Sequence, residues 1–86
     1  MSTMRRKIIT ESQLKERIAE LNQSLGFDPQ QCESGYIVGS YRLDSAYGGH
    51  RMVKVLSKYG GIESLNGISG FYTKRELWEK IRFFQP

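Results

Sequence analysis

The chain has 86 residues, of which 38% are hydrophobic and 26% are charged, and its net charge is +4 at pH 7. This length suits one domain rather than two, and the composition is that of a globular protein rather than a disordered one. No apolar run approaches the ~20 residues of a transmembrane helix. Only Ile8 and Ile9 follow the basic N-terminus, where a signal peptide would need an apolar stretch of roughly 7–15 residues. We therefore expect a cytoplasmic protein that makes no membrane contact.

The first predicted elements are a short basic arm over residues 1–9 and a helix that opens a single domain over residues 10–86. Thr10 and Gln13 have the spacing of a capping box, in which each side chain satisfies a free backbone N–H group of the first turn. Gly26 supplies the left-handed residue that ends a helix. Four apolar residues recur along one side of this helix: Leu14, Ile18, Leu21 and Leu25.

Three strands are predicted in the middle of the chain, after a loop over residues 28–35. The segments rich in β-branched and aromatic residues are 36–46, 50–57 and 62–65. Tyr47-Gly48-Gly49 recurs as Tyr59-Gly60-Gly61, and each glycine pair suits a tight turn because glycine adopts positive φ without steric cost. The repeat therefore predicts two successive turns of an antiparallel meander.

The register of the first hairpin decides which side chains share a face. If Leu43 lies opposite Val53 and Tyr41 lies opposite Val55, one face is apolar and the other presents polar side chains (Arg42, Lys54 and His50). A slip of one residue would mix the two sets. We expect the arrangement that keeps them apart.

The last predicted element is a helix that begins after Thr73 and runs to about Phe84. Thr73 and Glu76 form a second capping-box pattern, and the apolar residues of this helix lie on one stripe: Leu77, Ile81 and Phe84. The order is helix, three strands, helix. We expect an α+β fold, a three-stranded antiparallel meander with both helices on one sheet face and the other face solvated.

The residues that could carry catalysis are few. Cys32 is the only cysteine and His50 the only histidine, so neither an internal disulfide nor a thiolate metal cluster can form. The neighbouring Glu33 disfavours a thiolate at Cys32. No Gly-Lys-Ser/Thr sequence follows Gly48-Gly49, as a phosphate-binding loop would require. We expect no enzymatic activity, no cofactor, no metal and no small-molecule substrate.

Basic and aromatic residues of the second half are the candidates for partner binding. All of the excess positive charge lies in residues 35–86. A helix N-terminus favours anions, but Glu79 lies four residues after Arg75, where the two charges can pair. Phe83 falls about 120° away from the apolar stripe of the last helix, by the 100° step of a helix. The candidate partner-binding residues are Arg51, Lys54, Lys58, Lys74, Arg75, Trp78 and Phe83.

The element order resembles that of the double-stranded-RNA-binding domain. In that resemblance Gly48-Gly49-His50 takes the place of the family's loop between the first two strands, and Lys74-Arg75 takes the place of its phosphate-binding lysines. The family's lysine cluster and alanine-rich last helix are missing. The resemblance implies the alternative function, a nucleic-acid-binding module that uses a basic surface on the second strand and the last helix.

A second resemblance lies in the residues themselves. Tyr41-Arg42-Leu43-Asp44-Ser45-Ala46-Tyr47-Gly48-Gly49 is followed by a valine-rich strand, a Gly-Gly turn and Thr73-Lys74-Arg75-Glu76-Leu77. Over about residues 36–84 this pattern resembles small accessory proteins encoded by tailed bacteriophages and prophages. The resemblance implies a viral protein of the bacterial host cytoplasm. We expect a non-enzymatic accessory protein that binds a protein partner or forms a homo-oligomer.

Overall fold

Residues 8–86 are described by a computed structural model; of the predicted basic arm, residues 1–7 lie outside the described part. The elements, in chain order, are α1 (Glu11–Ser24), α2 (Pro29–Ser34), β1 (Tyr41–Ala46), β2 (Gly49–Val55), β3 (Ile62–Ser64) and α3 (Lys74–Arg82). The strand order is β1-β2-β3 and both pairings are antiparallel. The predicted α+β class and the meander are therefore confirmed. None of the described helices has the length and apolar character needed to cross a membrane.

Helix α1 begins and ends at the residues that its sequence predicts. Thr10 Oγ1 accepts from the Gln13 N–H at 3.2 Å, and the Thr10 N–H donates to Gln13 Oε1 at 2.8 Å. Gly26 has a φ of +92°, and the N–H of Phe27 donates to the carbonyl oxygen of Asn22 at 3.0 Å. This last bond is part of a Schellman motif, which satisfies carbonyl groups that the helix leaves free.

Helix α3 also starts with a capping box. Thr73 Oγ1 accepts from the Glu76 N–H at 3.1 Å, and the Thr73 N–H donates to Glu76 Oε1 at 3.0 Å. The backbone N–H of Thr73, followed by its hydroxyl, stabilises the ionised carboxylate and lowers the pKa of Glu76 below its usual value. The start of α3 is thus set by its own residues.

The core lies between α1, α3 and one face of the sheet. Leu77 and Ile81 of α3 pack in the same cluster as Leu14 and Ile18 of α1, so the two predicted stripes do share one core. Leu25, the last residue of the predicted α1 stripe, is 42% exposed because it is the C-cap of the helix. The full cluster of buried residues is Ile9, Leu14, Ile18, Tyr41, Met52, Leu65, Ile68, Leu77 and Ile81.

The first hairpin has a register that differs by one residue from the predicted one. Leu43 lies opposite Met52 and Tyr41 lies opposite Lys54, so the predicted pairing is wrong. The physical reason is the turn. Tyr47 and Gly48 have φ values of +54° and +76° and form a two-residue loop, so Ala46 must pair with Gly49.

The corrected register places apolar residues on both faces of β2. Met52 joins the helix-side core, whereas Val53 and Val55 point to the opposite face because side chains alternate along a strand. Both valines are buried, so the prediction of a solvated second face is wrong, as is the placement of these valines in the core of the two helices. Arg42 shares the face of Val53, while Lys54 lies on the helix side.

Residues 28–35, predicted as a loop, contain the short helix α2. Asp28 Oδ1 accepts from the Gln30 N–H at 3.0 Å, and Pro29 occupies the first turn, where its missing N–H costs nothing. Arg42 Nη1 donates to the carbonyl oxygens of Cys32 and Gly35 at 2.8 and 2.6 Å. Tertiary hydrogen bonds from β1 therefore hold a helix too short to show periodicity.

We expect Gly49→Ala to lower the free energy of unfolding by about 1–3 kcal/mol, the usual cost of overpacking. A Cβ at Gly49 would lie 2.8 Å from the Phe71 Cβ. The segment cannot retreat easily, because His50 and Tyr72 exchange two backbone hydrogen bonds of 2.8 Å. Urea denaturation followed by circular dichroism measures the loss.

The matched control for this substitution is Gly35→Ala. Gly35 has extended backbone angles, and an added Cβ would meet only the Gln31 carbonyl oxygen at 3.7 Å, an ordinary contact. We expect a change within about 0.5 kcal/mol. Equal losses in the two variants would contradict the close approach of Gly49 to Phe71.

Candidate functional site

The sheet brings Ser45 and His50 together as a cross-strand pair. The predicted register does not place these two residues opposite each other. Ser45 Oγ lies 2.7 Å from His50 Nδ1. Nucleophilic catalysis also uses a third group to orient the base, and within residues 8–86 no carboxylate is hydrogen-bonded to His50. The same residues hold no cluster of three or more His, Cys, Asp or Glu side chains suited to a metal ion. The geometry of this pair is that of a hairpin hydrogen bond.

Arg51, the first of the candidate basic residues, is engaged in contacts within the domain. Its Nε donates to Asp44 Oδ2 at 2.8 Å and its Nη1 donates to Ser64 Oγ at 3.1 Å. Its guanidinium carbon lies 4.7 Å from the centre of the Phe71 ring, and its side chain is 19% exposed. Arg51 therefore ties β1, β2, β3 and the segment before α3 together, with its charge balanced by Asp44.

The remaining basic candidates lie at different ends of the sheet. Lys58 follows the last residue of β2, whereas Lys74 and Arg75 follow Tyr72, which pairs with His50 near the first residue of β2. A seven-residue strand is about 20 Å long at ~3.3 Å per residue. Lys54 lies between them and opposite Glu63. The fold does not gather these side chains into one cluster.

The two aromatic candidates also occupy separate environments. Trp78 is half-buried, and the guanidinium carbon of Arg17 lies 3.8 Å from the centre of its ring. This cation–π contact joins α1 to α3. Phe83 is the C-cap of α3 and is 75% exposed.

A group of exposed apolar side chains, absent from the sequence prediction, lies around the turn between β2 and β3. We call it the turn patch and define it by five residues, which are 37–85% exposed: Tyr36, Val38, Leu56, Tyr59 and Ile62. Two backbone hydrogen bonds align the segments that carry them. The Gly39 N–H donates to the Val55 carbonyl oxygen at 2.9 Å, and the Leu56 N–H donates to the Gly61 carbonyl oxygen at 2.7 Å.

The turn itself makes room for Tyr36. Gly60 has a φ of +95°, and a Cβ at this position would lie 3.4 Å from Cζ of the Tyr36 ring. Gly60 thus serves two purposes, since it allows the left-handed turn conformation and lets an aromatic ring lie over the backbone. The glycine-rich turn is part of the patch rather than only a connection.

Positive charges border the turn patch. The Lys58 amine lies 5.3 Å from the centre of the Tyr59 ring, and the Arg42 guanidinium carbon lies 4.5 Å from the centre of the Tyr36 ring. Such cation–π contacts fix the rings at modest energetic gain. Arg42 also donates to the carbonyl oxygens of Cys32 and Gly35, which fix its position.

The sequence carries only weak signals for the turn patch, because its members come from two segments separated by the whole of β1 and β2. The repeated Tyr-Gly-Gly pattern draws attention to Tyr59, but Tyr36 and Val38 join it only after β1 has paired with β2. The chain matches no protein-family model, no curated protein and no solved structure.

Proposed function

We propose that this protein is a small non-enzymatic accessory protein that binds another protein through the turn patch. The observation that carries the proposal is that five exposed apolar and aromatic side chains belong to segments that backbone hydrogen bonds and the Tyr36–Gly60 contact join around the β2–β3 turn. Apolar patches of this kind mark interaction sites on soluble proteins, and tyrosine is among the residues that dominate interface energetics. The proposal includes the bacteriophage or prophage origin and the host cytoplasm as its setting.

Charge distribution favours a protein partner over nucleic acid. Nucleic-acid affinity arises mainly from several phosphates neutralised together, which releases counterions. Here the charge of Arg51 is balanced by Asp44 at 2.8 Å, and Lys58 lies at the opposite end of β2 from Lys74. Electrostatic attraction from such a distribution is diffuse, whereas the apolar surface is concentrated.

Photo-crosslinking tests the proposal directly. Benzoylphenylalanine replaces Tyr59, which is 85% exposed in the turn patch, or Tyr47, which is 95% exposed in the other hairpin. In bacterial cells that produce the protein together with its phage genome, we expect protein adducts from position 59 and none of the same mass from position 47. The two sites are matched in residue type and exposure.

The identity of the adducts decides between the outcomes. Adducts that disappear on nuclease treatment would favour the nucleic-acid-binding alternative and contradict the proposal. An adduct of twice the chain mass would show a homo-oligomer formed through the patch. Equal amounts of adduct from positions 47 and 59 would show that the turn patch binds protein no better than other exposed surface does.

A further inference from the structure

The outer edge of β1 is occupied by a side chain at Tyr41. The Tyr41 N–H donates to Asn22 Oδ1 at 2.8 Å, and the Tyr41 carbonyl oxygen accepts from Asn22 Nδ2 at 3.0 Å. The carboxamide thus bonds to the edge as another strand would. Backbone groups alternate between the two sides of an antiparallel strand. The outward direction of the Tyr41 groups therefore shows which other β1 residues have backbone groups that point away from β2.

Leu43 and Ser45 point in the same direction as Tyr41, because they lie two and four residues further along β1. Arg42 and Asp44, by contrast, are the residues whose backbone groups face β2. Among residues 8–86, the outward N–H and C=O groups of Leu43 and Ser45 have no hydrogen-bond partner. They form a short unpaired edge directly beyond the position that Asn22 fills.

A cleft of about 310 Å³ lies beside this edge, between α1, α2 and β1. This volume is near the lower end of roughly 300–1,000 Å³ that ligand sites occupy. Its apolar wall is formed by Ile18, Ala19, Cys32 and Leu43. An extended chain that paired with Leu43 would have the space to place a side chain against this wall.

Charged residues at the cleft indicate what kind of chain it suits. Lys15 and Arg42 contribute two positive charges to its lining, and Glu33 contributes one negative charge. Lys15 also lies 3.8 Å from Glu11, and both side chains are more than half exposed, so this ion pair is weak. An acidic residue next to the inserted apolar one would complement the cleft.

We propose that the β1 edge and this cleft bind an extended, acidic peptide segment of a partner protein. The segment adds to the sheet as a strand paired with Leu43 and Ser45 and inserts one apolar side chain between α1 and α2, as in other complexes formed by β-strand addition. A second copy of the chain fits this charge pattern less well, because its own β1 edge carries Arg42 as well as Asp44 and is not acidic. The site adjoins the turn patch, because Arg42 lines the cleft and also lies 4.5 Å from the centre of the Tyr36 ring, but Tyr59 is not among the residues that line the cleft.

Amide hydrogen exchange in the free protein is the first part of the test. We expect fast exchange at Leu43 and Ser45 and slow exchange at Arg42 and Asp44, whose N–H groups face β2. The pattern must persist on dilution. Slow exchange at Leu43 and Ser45 in the free protein, or protection that grows with protein concentration, would show another occupant of the edge and overturn the proposal.

Selection from a displayed library of random peptides is the second part. We expect selected peptides to share one apolar residue with Asp or Glu at a neighbouring position. At a free concentration about ten times its Kd, a synthetic copy of the selected peptide should slow exchange at Leu43 and Ser45 about tenfold, because exchange then requires dissociation of the peptide. Protection of β3 amides instead, or failure to select a peptide that protects Leu43, would overturn the proposal.

Three variants test whether peptide binding depends on the β1 edge and the cleft. Ser45→Pro removes an outward N–H, which an edge strand tolerates, and Ala19→Leu fills the cleft, so each should weaken peptide binding about tenfold. Ser45→Ala keeps the N–H and should bind as the wild type does. Circular dichroism verifies that each variant is folded.

Tyr59→Ala distinguishes this proposal from the proposed function. This substitution changes the turn patch only, so peptide affinity should stay at the wild-type value. Loss of peptide binding in Tyr59→Ala together with full binding in Ser45→Pro would place the peptide on the turn patch and overturn the β1-edge site. If the photo-reactive residue at position 59 gives no protein adducts while the peptide still binds the wild-type protein, the proposed function alone is contradicted.

Discussion

Leu77→Ala is expected to lower the free energy of unfolding by about 2–5 kcal/mol, the range of leucine truncations in closed cores. Leu77 is 0% exposed and packs in a cluster built from α1, α3 and β2. Because three elements wall the position, the space left by the missing atoms cannot collapse easily. Folded domains have only about 5–15 kcal/mol in total, so a large share of the stability is at stake. Urea denaturation followed by circular dichroism gives the difference.

Leu56→Ala is the matched control for this truncation. It removes the same atoms at a position that is 51% exposed, and we expect a change of about 0.5 kcal/mol or less. Ile18→Ala and Ile81→Ala should each cost about 2–4 kcal/mol, since both side chains belong to the same cluster. Equal losses for Leu56→Ala and Leu77→Ala would contradict the assignment of the core.

Asn22→Ala is expected to lower the free energy of unfolding by about 2–6 kcal/mol, although it removes no apolar side chain. Asn22 is 2% exposed, and its carboxamide is the partner of both the N–H and the carbonyl oxygen of Tyr41. Truncation leaves these two backbone groups without a partner, and each buried unsatisfied group costs about 1–3 kcal/mol. Equilibrium urea denaturation measures this cost too. Gln23→Ala, on the exposed side of α1, is the control and should be close to neutral.

Asn22→Asp adds a pH dependence to the same test. The aspartate still accepts from the Tyr41 N–H but places a carboxylate oxygen against the Tyr41 carbonyl oxygen, where the Asn22 amide lies at 3.0 Å. Burial and this repulsion raise the pKa of the introduced carboxyl in the folded state. The folded state then binds the proton more tightly than the unfolded state does. The stability deficit relative to the wild type should therefore be small at acid pH and grow as pH rises through the raised pKa. A deficit that is independent of pH would contradict the role of Asn22 as donor to Tyr41.

The helices that carry the core could be predicted because their signals are local. Thr10 with Gln13 and Thr73 with Glu76 satisfy N-terminal N–H groups within one turn. Four consecutive residues therefore determine each cap and each helix start. The C-terminal glycine of α1 acts in the same local way. No contact with the rest of the chain is needed to identify these boundaries.

The hairpin register and α2 could not be predicted, because in each case local sequence patterns are compatible with more than one structure. Val53 and Met52 are both apolar, and the structure buries both, on opposite faces. The alternation that separates a buried face from a solvated one is therefore absent. Tyr47 at positive φ is unusual for a residue that is not glycine, so the two-residue turn was not evident. Helix α2 had a cap signal in Asp28-Pro29 but was too short for periodicity.

The candidate sites depend even more on tertiary structure. Trp78 and Arg51 have side chains typical of binding surfaces, yet each is engaged by a neighbour within the domain, Arg17 and Asp44 respectively. Tyr36 comes to lie against Gly60, the residue after Tyr59, only through strand pairing. Asn22 gave no sequence signal at all, because an asparagine within a helix is ordinarily exposed.

A core shared by α1 and α3 sets the order of events during synthesis. The sheet face that carries Tyr41 and Met52 is complete once β2 has been made, but Leu77 and Ile81, which cover it, are added later. Until then only α1 can cover that face, and the part that α3 covers in the folded protein stays exposed, the kind of surface that chaperones protect and that aggregates form through. We therefore expect the chain to reach its native state in one cooperative transition, once α3 has left the ribosome.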